Sequence, residues 1–141
     1  MEATADIIKV GAIILDSHGR ILISKSRGRN LWYFVGGKIE KGETHEDCLR
    51  RELREELGVE ISGTPTWYAA SPVELADEDK QGRTLQIFQY LVSIVGEPKA
   101  SSEIESIHWL SKEEFLSERF PLGRMLKLHA IPALIADGHL H

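Results

Sequence analysis

A chain of 141 residues, 42% hydrophobic and 28% charged, is expected to form a single domain over residues 1–141 with a buried core. Its formal net charge of −5 argues against binding a nucleic acid polymer or an anionic membrane, because either partner requires a large cationic surface. The single cysteine, Cys48, excludes an internal disulfide and, with no visible targeting segment, favours a cytoplasmic location.

The first third of the chain predicts strands and a basic loop. Residues 7–15 and 20–24 are β-branched runs, and the sequence DSHG between them predicts a hairpin turn. A basic loop follows at 25–30, and the aromatic segment LWYFV at 31–35 is predicted to be a short strand or an approach segment. Two strands are therefore expected ahead of the glycine pair in the sequence VGGK.

A helix is predicted over residues 44–57, ending at Gly58. Further strands are predicted at 59–62, 65–71, 84–95 and 103–110, with an acidic surface loop at 74–83. Ser111 followed by Glu114 is a capping-box pattern that predicts another helix. A last helix is predicted at 122–136, kinked or shortened by Pro132. The order β-β-α-β-β-β-α-α indicates an α/β or α+β domain.

The helix at 44–57 carries a group of carboxylates on one side. Each helical residue advances by about 100°, so Glu52, Glu55 and Glu56 fall within one arc of roughly 100°, beside the leucines that dock the helix. The arginines of this helix are expected to point mainly elsewhere and to leave the three carboxylates without simple neutralisation. Like charges one helical turn apart destabilise a helix, so a positive partner is expected there.

A hard divalent cation suits this carboxylate group. Carboxylate oxygens are the ligands of Mg²⁺ or Mn²⁺, and no histidine or cysteine stands at a zinc spacing. The alternative is a solvated helix with mixed charges, for which the sequence RRELREEL alone is also typical.

The wider pattern resembles a complete Nudix box. Its fixed positions are matched by Gly37, Glu43, Arg51-Glu52-Leu53, Glu55-Glu56 and Gly58-Val59. Such a match arises by chance on the order of once in 10⁹ windows of average composition, which favours the metal site over the solvated helix. The resemblance implies a Nudix-type α/β/α sandwich with a mixed β-sheet and metal-dependent hydrolysis of a nucleoside diphosphate linked to another group.

The resemblance also assigns roles to individual residues. Glu52 and Glu56 would bind the metal, and Glu55 would be a further ligand or the base that deprotonates water. Gly37 would allow a backbone bend that brings a carbonyl to the metal. In similar proteins Glu43 pairs with Arg51, which we interpret as scaffolding.

Other residues are candidates outside the box. Glu103, six residues before Trp109, is a second candidate for the base or for an extra metal ligand. Cations beside the glycine pair are candidates for binding substrate phosphates, although a solubilising loop is the alternative: Lys25, Arg27, Arg29 and Lys38.

The predicted activity is a pyrophosphohydrolase that uses Mg²⁺ or Mn²⁺. We expect cleavage of a nucleoside triphosphate, or a related nucleoside diphosphate derivative, to a nucleoside monophosphate and pyrophosphate. The alternatives are an ADP-ribose or nucleotide-sugar pyrophosphatase and a catalytically silent nucleotide-binding Nudix module. A small-molecule nucleotide is the expected partner, and a homodimer is an additional expectation from the resemblance.

Overall fold

The computed structural model describes residues 4–141. This part of the chain contains seven strands: β1 Ile7–Ile13, β2 Ile21–Ser26, β3 Val35–Lys38, β4 Glu60–Ala70, β5 Glu74–Leu75, β6 Thr84–Val95 and β7 Ile104–Leu110. The helical elements are α1 His45–Leu57, α2 Lys112–Leu116, a π-helical segment Met125–Ala130, and α3 Ile131–Ala136.

The strands form two sheets. The main sheet has the order β3-β1-β6-β4, and the short strand β5 also pairs with β6. Strands β1 and β6 are parallel while the other pairs are antiparallel, so the sheet is mixed. Strands β2 and β7 form a separate antiparallel pair. The predicted fold class, a mixed-sheet domain of helices and strands, is confirmed.

Two apolar clusters separate the helices from the sheets. One joins Val10 and Ala12 of β1 to the buried leucines of α1. The other joins Ile7 and Ile13, which alternate with them along β1, to the π-helical segment and α3. Because both faces of β1 are covered, its sequence is apolar almost throughout.

Helix α1 agrees with its prediction to within one residue. Thr44 is the N-cap: its side chain accepts a hydrogen bond from the amide of Asp47, whose side chain accepts from the Thr44 amide in return. Gly58 ends the helix in a left-handed conformation, with φ of 66°. The buried residues of one face hold the helix on the sheet: Cys48, Leu49, Leu53 and Leu57.

The structure differs from the prediction around the glycine pair and beyond α1. In the aromatic segment 31–35, Trp32 and Tyr33 make only isolated bridges, and the third strand begins at Val35 and runs through the glycines themselves. The strands predicted at 59–62 and 65–71 are one strand, β4, whose register shifts keep it paired with β6 across the predicted break. Strand β5 lies inside the predicted acidic loop.

The C-terminal helical region is interrupted as predicted, close to Pro132. The π-helical segment continues into α3 at Ile131 with right-handed helical dihedrals, and Pro132 lies in the first turn of α3, beside this change of helix type. Helix α2 begins with the predicted capping box of Ser111 and Glu114. Within residues 4–141, no helix is long and apolar enough to cross a membrane.

Gly36 allows β3 to pair closely with β1. Its φ is 140°, and a Cβ at this position would collide with the carbonyl oxygen of Val10. Gly36 and Gly11 are opposite each other in the β1–β3 pair. Any larger residue would therefore be strained in its backbone and would also push β3 away from β1.

We expect Gly36→Ala to destabilise the fold by about 3 kcal/mol or more, because strain and a backbone collision add. Urea unfolding followed by circular dichroism measures the loss. Gly28→Ala is the matched control: its φ is 79° but no atom lies within 4 Å of a built Cβ, so only strain of about 1–2 kcal/mol is expected. Equal losses in the two variants would contradict the collision.

Candidate active site

The glycine strand β3 passes over two carboxylates of α1. The amide N–H of Gly36 donates a hydrogen bond to Oε1 of Glu56 at 3.3 Å. A Cβ at Gly37 would collide with the carboxylate of Glu52. The two glycines therefore leave the room in which both carboxyl groups fit beneath the backbone.

Glu52 disfavours the ionised form of Glu56. Burial raises the pKa of both groups, and repulsion from Glu52 contributes to raising the pKa of Glu56 to about 8. Two carboxylates are thus held together, partly out of water, where a cation would stabilise their ionised forms.

The predicted pair of Glu43 and Arg51 is present. Nε and Nη2 of Arg51 donate to the two oxygens of Glu43 at 2.6 and 2.9 Å. This hydrogen bonding lowers the pKa of Glu43 to about 2. Arg51 also donates to the carbonyl of Lys38 at 3.2 Å, so the pair fastens the loop after β3 to α1.

The expectation that the arginines of α1 point away from Glu52, Glu55 and Glu56 is wrong for Arg51. Its Nη1 lies 2.9 Å from Glu52 and 3.5 Å from Glu55, because the guanidinium that grips Glu43 still reaches along the helix surface. Arg50 and Arg54 do point elsewhere, toward the first turn of α1 and toward β4.

The two candidate bases, Glu55 and Glu103, are more exposed to solvent than Glu52 and Glu56. The side chain of Glu55 is 56% exposed. Glu103 is exposed, and its carbonyl accepts the amide of Arg27 at 2.9 Å. The hydroxyl of Ser101 donates to the carbonyl of Glu55 at 2.8 Å, which places the segment before β7 against the end of α1.

The carboxylate ligands available here fit a hard divalent ion that keeps part of its water shell, and they are too few to enclose a metal completely. Within residues 4–141, no three acidic, histidine or cysteine side chains converge on one point. Glu52 and Glu56 are the carboxylates brought together, with the Gly37 backbone against them. Two carboxylates suffice for Mg²⁺, which keeps several waters and takes phosphate oxygens as its other ligands.

A pocket opens beside Glu56. Its floor is the face of the main sheet that bears Ile7 and Ile87, and aromatic side chains form part of its wall. The polar residues around it come from four parts of the chain: Lys9, Ser24, Ser26, Arg29, Tyr33, Lys38, Asp77, Asp79 and Arg83.

Of the four cations predicted to bind phosphates, Arg29 and Lys38 line this pocket. Lys25 instead forms an ion pair of 2.7 Å with Glu105 across the β2–β7 pair. Arg27 is held by the backbone of the segment before β7, with Nε donating to a carbonyl at 3.5 Å.

Sequence reasoning missed Lys9, which lines the same pocket. Burial, followed by repulsion from Arg29 and Lys38, lowers the pKa of Lys9. The available signal was a lone charge inside the apolar run IIKVGAIIL, since lysine is rarely placed in a central strand without a role.

The acidic loop 76–83 forms a wall of the pocket. Glu78, with φ of 54°, accepts hydrogen bonds from the Asn30 amide at 2.8 Å and the Tyr33 hydroxyl at 2.7 Å. Arg29 donates to the Glu78 carbonyl at 3.3 Å. These bonds tie the acidic loop to the basic loop 25–30, a contact that sequence alone does not indicate.

The sheet, the capped helix and the carboxylates beneath a glycine strand define a hydrolase of the family to which the sequence pattern pointed. The NUDIX domain model matches residues 7–129. The chain belongs to the Nudix family, and it is an enzyme acting on phosphoric anhydride bonds.

Characterised relatives and solved structures agree with this assignment. The chain is 33% identical over 121 residues to the CTP pyrophosphohydrolase of Escherichia coli K12, covering 83% of this chain and 84% of that protein. An RNA pyrophosphohydrolase from Acinetobacter baylyi is 48% identical over 50 residues, which cover 36% of this chain and 30% of that one.

Two solved structures are similar over nearly the whole chain. The solution structure of the E. coli ORF135 protein has a TM-score of 0.67 at 31% identity, covering 93% of this chain and 91% of that one. A MutT structure from work on Aliivibrio salmonicida and Vibrio cholerae has a TM-score of 0.70 at 27% identity, covering 93% and 98%.

The raised pKa of Glu56 predicts that Glu56→Gln stabilises the metal-free protein. The folded pKa of about 8 exceeds the ordinary value of 4.5, so ionised Glu56 destabilises the fold increasingly as pH rises through this window. Thermal unfolding in excess EDTA should show a higher Tm for Glu56→Gln above about pH 8, by about 2–4 °C for each kcal/mol relieved.

The gain should disappear well below pH 4.5, where Glu56 is protonated in both the folded and the unfolded state. Glu55→Gln, at an exposed position of the same helix, should show no comparable gain. A Glu56→Gln protein that is less stable than the wild type at high pH would contradict the electrostatic account.

Proposed function

We propose that this Nudix hydrolase cleaves a nucleoside triphosphate, canonical or oxidised, to a nucleoside monophosphate and pyrophosphate, with Mg²⁺ or Mn²⁺ as cofactor. The main support is that Glu56, one helical turn from Glu52 on α1, lines a pocket that several cations also line. The likeness to a CTP pyrophosphohydrolase over 121 residues supports a nucleoside triphosphate over an ADP-ribose or nucleotide-sugar substrate.

The residues that would hold the metal are Glu52, Glu56 and the backbone of Gly37, with Glu55 as either a further ligand or the base. When bound, a divalent ion neutralises charge on the phosphates and on the leaving pyrophosphate. The protein contributes a fixed arrangement: Arg51 holds Glu52, and the Gly36 amide holds Glu56. This preorganisation means that little rearrangement is required as charge develops.

Glu55 is the proposed base that removes the proton from the attacking water. Its carboxylate is exposed enough to reach a solvent molecule, and it lies on the same helix as the metal-binding pair. Glu103 remains the alternative, because the segment before β7 lies against the end of α1.

The nucleoside would occupy the part of the pocket away from Glu56. Tyr33 offers an aromatic face there, held in place by its hydrogen bond to Glu78. Phe34 is buried in the core and lines the pocket at the same time. Asp77 and Asp79 also line the pocket, and Asp79 is paired with Arg83 at 2.8 Å.

The substrate and the cleaved bond can be tested together. We expect the protein with Mg²⁺ to convert nucleoside triphosphates to the monophosphate and pyrophosphate, as observed by phosphorus NMR of the products. Orthophosphate plus a nucleoside diphosphate would refute the cleavage site. Inert triphosphates with hydrolysed ADP-ribose or nucleotide sugars would refute the substrate class, and an inactive protein that binds nucleotides would refute turnover of these substrates.

The carboxylate roles predict distinct losses of turnover. Glu52→Gln and Glu56→Gln should each lower kcat by at least ~10²-fold at saturating Mg²⁺, the scale of losing one transition-state electrostatic contact. Near-native turnover in the Glu56→Gln protein would contradict its role at the metal.

A separate comparison distinguishes the two candidate bases. We expect Glu55→Gln to lower kcat more than Glu103→Gln, with Mn²⁺ affinity of the Glu103 variant unchanged, because only the base must contact the attacking water. If Glu103→Gln abolishes turnover and Glu55→Gln does not, the proposed roles of the two residues are reversed.

A further inference from the structure

Two lysines are placed directly opposite each other at the pocket. Lys9 of β1 and Lys38 of β3 are Cα partners in the antiparallel pairing, and both line the pocket. Directly opposite residues project from the same face of a sheet, with Cβ atoms about 5 Å apart, and like charges in this arrangement destabilise the pair. The strand register therefore places two like charges side by side at the pocket, with Lys9 half-buried and Lys38 exposed, and their repulsion opposes the pairing of the strands.

Protein carboxylates do not neutralise this pair by direct contact. Among residues 4–141, neither Lys9 nor Lys38 forms an ion pair. Arg29 adds a third positive charge to the pocket, and its Nη1 donates to the carbonyl of Glu78. Lys25, by contrast, is paired with Glu105 and lies outside the pocket lining.

A purely structural role for Lys9 would be to neutralise Glu52 and Glu56 from a distance. The surroundings oppose that role, because burial and repulsion from the other cations lower the pKa of Lys9 despite both carboxylates. Arg51 already donates to Glu52 at 2.9 Å. Three carboxylates also line the pocket, those of Glu56, Asp77 and Asp79. Within residues 4–141, none of them forms an ion pair with Lys9, Lys38 or Arg29, so these cations remain available to the phosphates of a ligand.

We propose that Lys9 is a substrate-positioning residue, which together with Lys38 and Arg29 binds the phosphate chain of the nucleotide and makes affinity increase with the number of phosphates. The proposal rests on the proposed function and extends it to a residue outside the Nudix box. Each cation donates charge-assisted hydrogen bonds to phosphate oxygens. Three cations complement a triphosphate better than a monophosphate, which offers fewer oxygens and less charge.

A series of ligands that differ only in phosphate number tests this role. Isothermal titration calorimetry with Mg²⁺ would compare α,β-methylene CTP, α,β-methylene CDP and CMP, the first two of which resist hydrolysis between the α and β phosphates. Lys9→Met keeps the length of the side chain and removes its charge. We expect affinity for the triphosphate to fall about 10- to 100-fold, the diphosphate to be affected less, and CMP to change by less than about twofold.

Lys99→Met is the matched control, because Lys99 is exposed and the same charge is removed. It should bind all three ligands like the wild type. Equal losses for all three ligands in Lys9→Met would indicate general damage to the fold and overturn the proposal. Unchanged triphosphate affinity in Lys9→Met, or an equal loss in Lys99→Met, would overturn it as well.

Inorganic tripolyphosphate separates this inference from the proposed function. If the wild type binds none of the nucleotides, the nucleotide substrate class is wrong, and titration with tripolyphosphate then decides the role of Lys9. If tripolyphosphate binds the wild type and its affinity is at least about tenfold lower for Lys9→Met, the result supports a polyphosphate site. If tripolyphosphate binds the wild type and Lys9→Met equally, or does not bind the wild type, the proposed role of Lys9 is overturned.

Discussion

The close approach of the Gly36–Gly37 backbone to β1 on one side and to α1 on the other is the constraint on which the site depends. A side chain at Gly36 would collide with the backbone of β1, and one at Gly37 would collide with the carboxylate of Glu52. The missing side chain at Gly36 thus sets the distance between the two strands, and the one at Gly37 leaves Glu52 its position beneath the backbone. They also bring a backbone amide to Glu56 and leave both carboxylates facing the same small space.

Two pairs of like charges lie in this region, and each pair destabilises the ligand-free protein. Glu52 and Glu56 repel each other on α1, while Lys9 and Lys38 repel each other across β1 and β3. A metal would relieve the first repulsion, and the phosphates of a nucleotide would relieve the second. Such local destabilisation is common where function requires groups that the fold alone would not place together.

The surrounding hydrogen bonds keep these strained groups in position. Arg51 connects Glu43, the Lys38 carbonyl and Glu52, so the loop after β3 cannot move independently of α1. On the far side of the pocket, Glu78 ties the acidic loop to the basic loop through Asn30 and other partners. The pocket is therefore built from loops that lie far apart in the sequence and are joined by side chain to backbone contacts.

The sequence by itself determined the elements and residues whose signals are local. Helix α1, its caps and the spacing of Glu52 and Glu56 follow from helical periodicity and capping within a few turns of chain. The tertiary structure alone decided which cations face the pocket: Lys25 pairs with Glu105, whereas Lys9 stands opposite Lys38. Those neighbours depend on strand register and on contacts between distant segments, and a one-residue shift of register would turn each side chain to the other face.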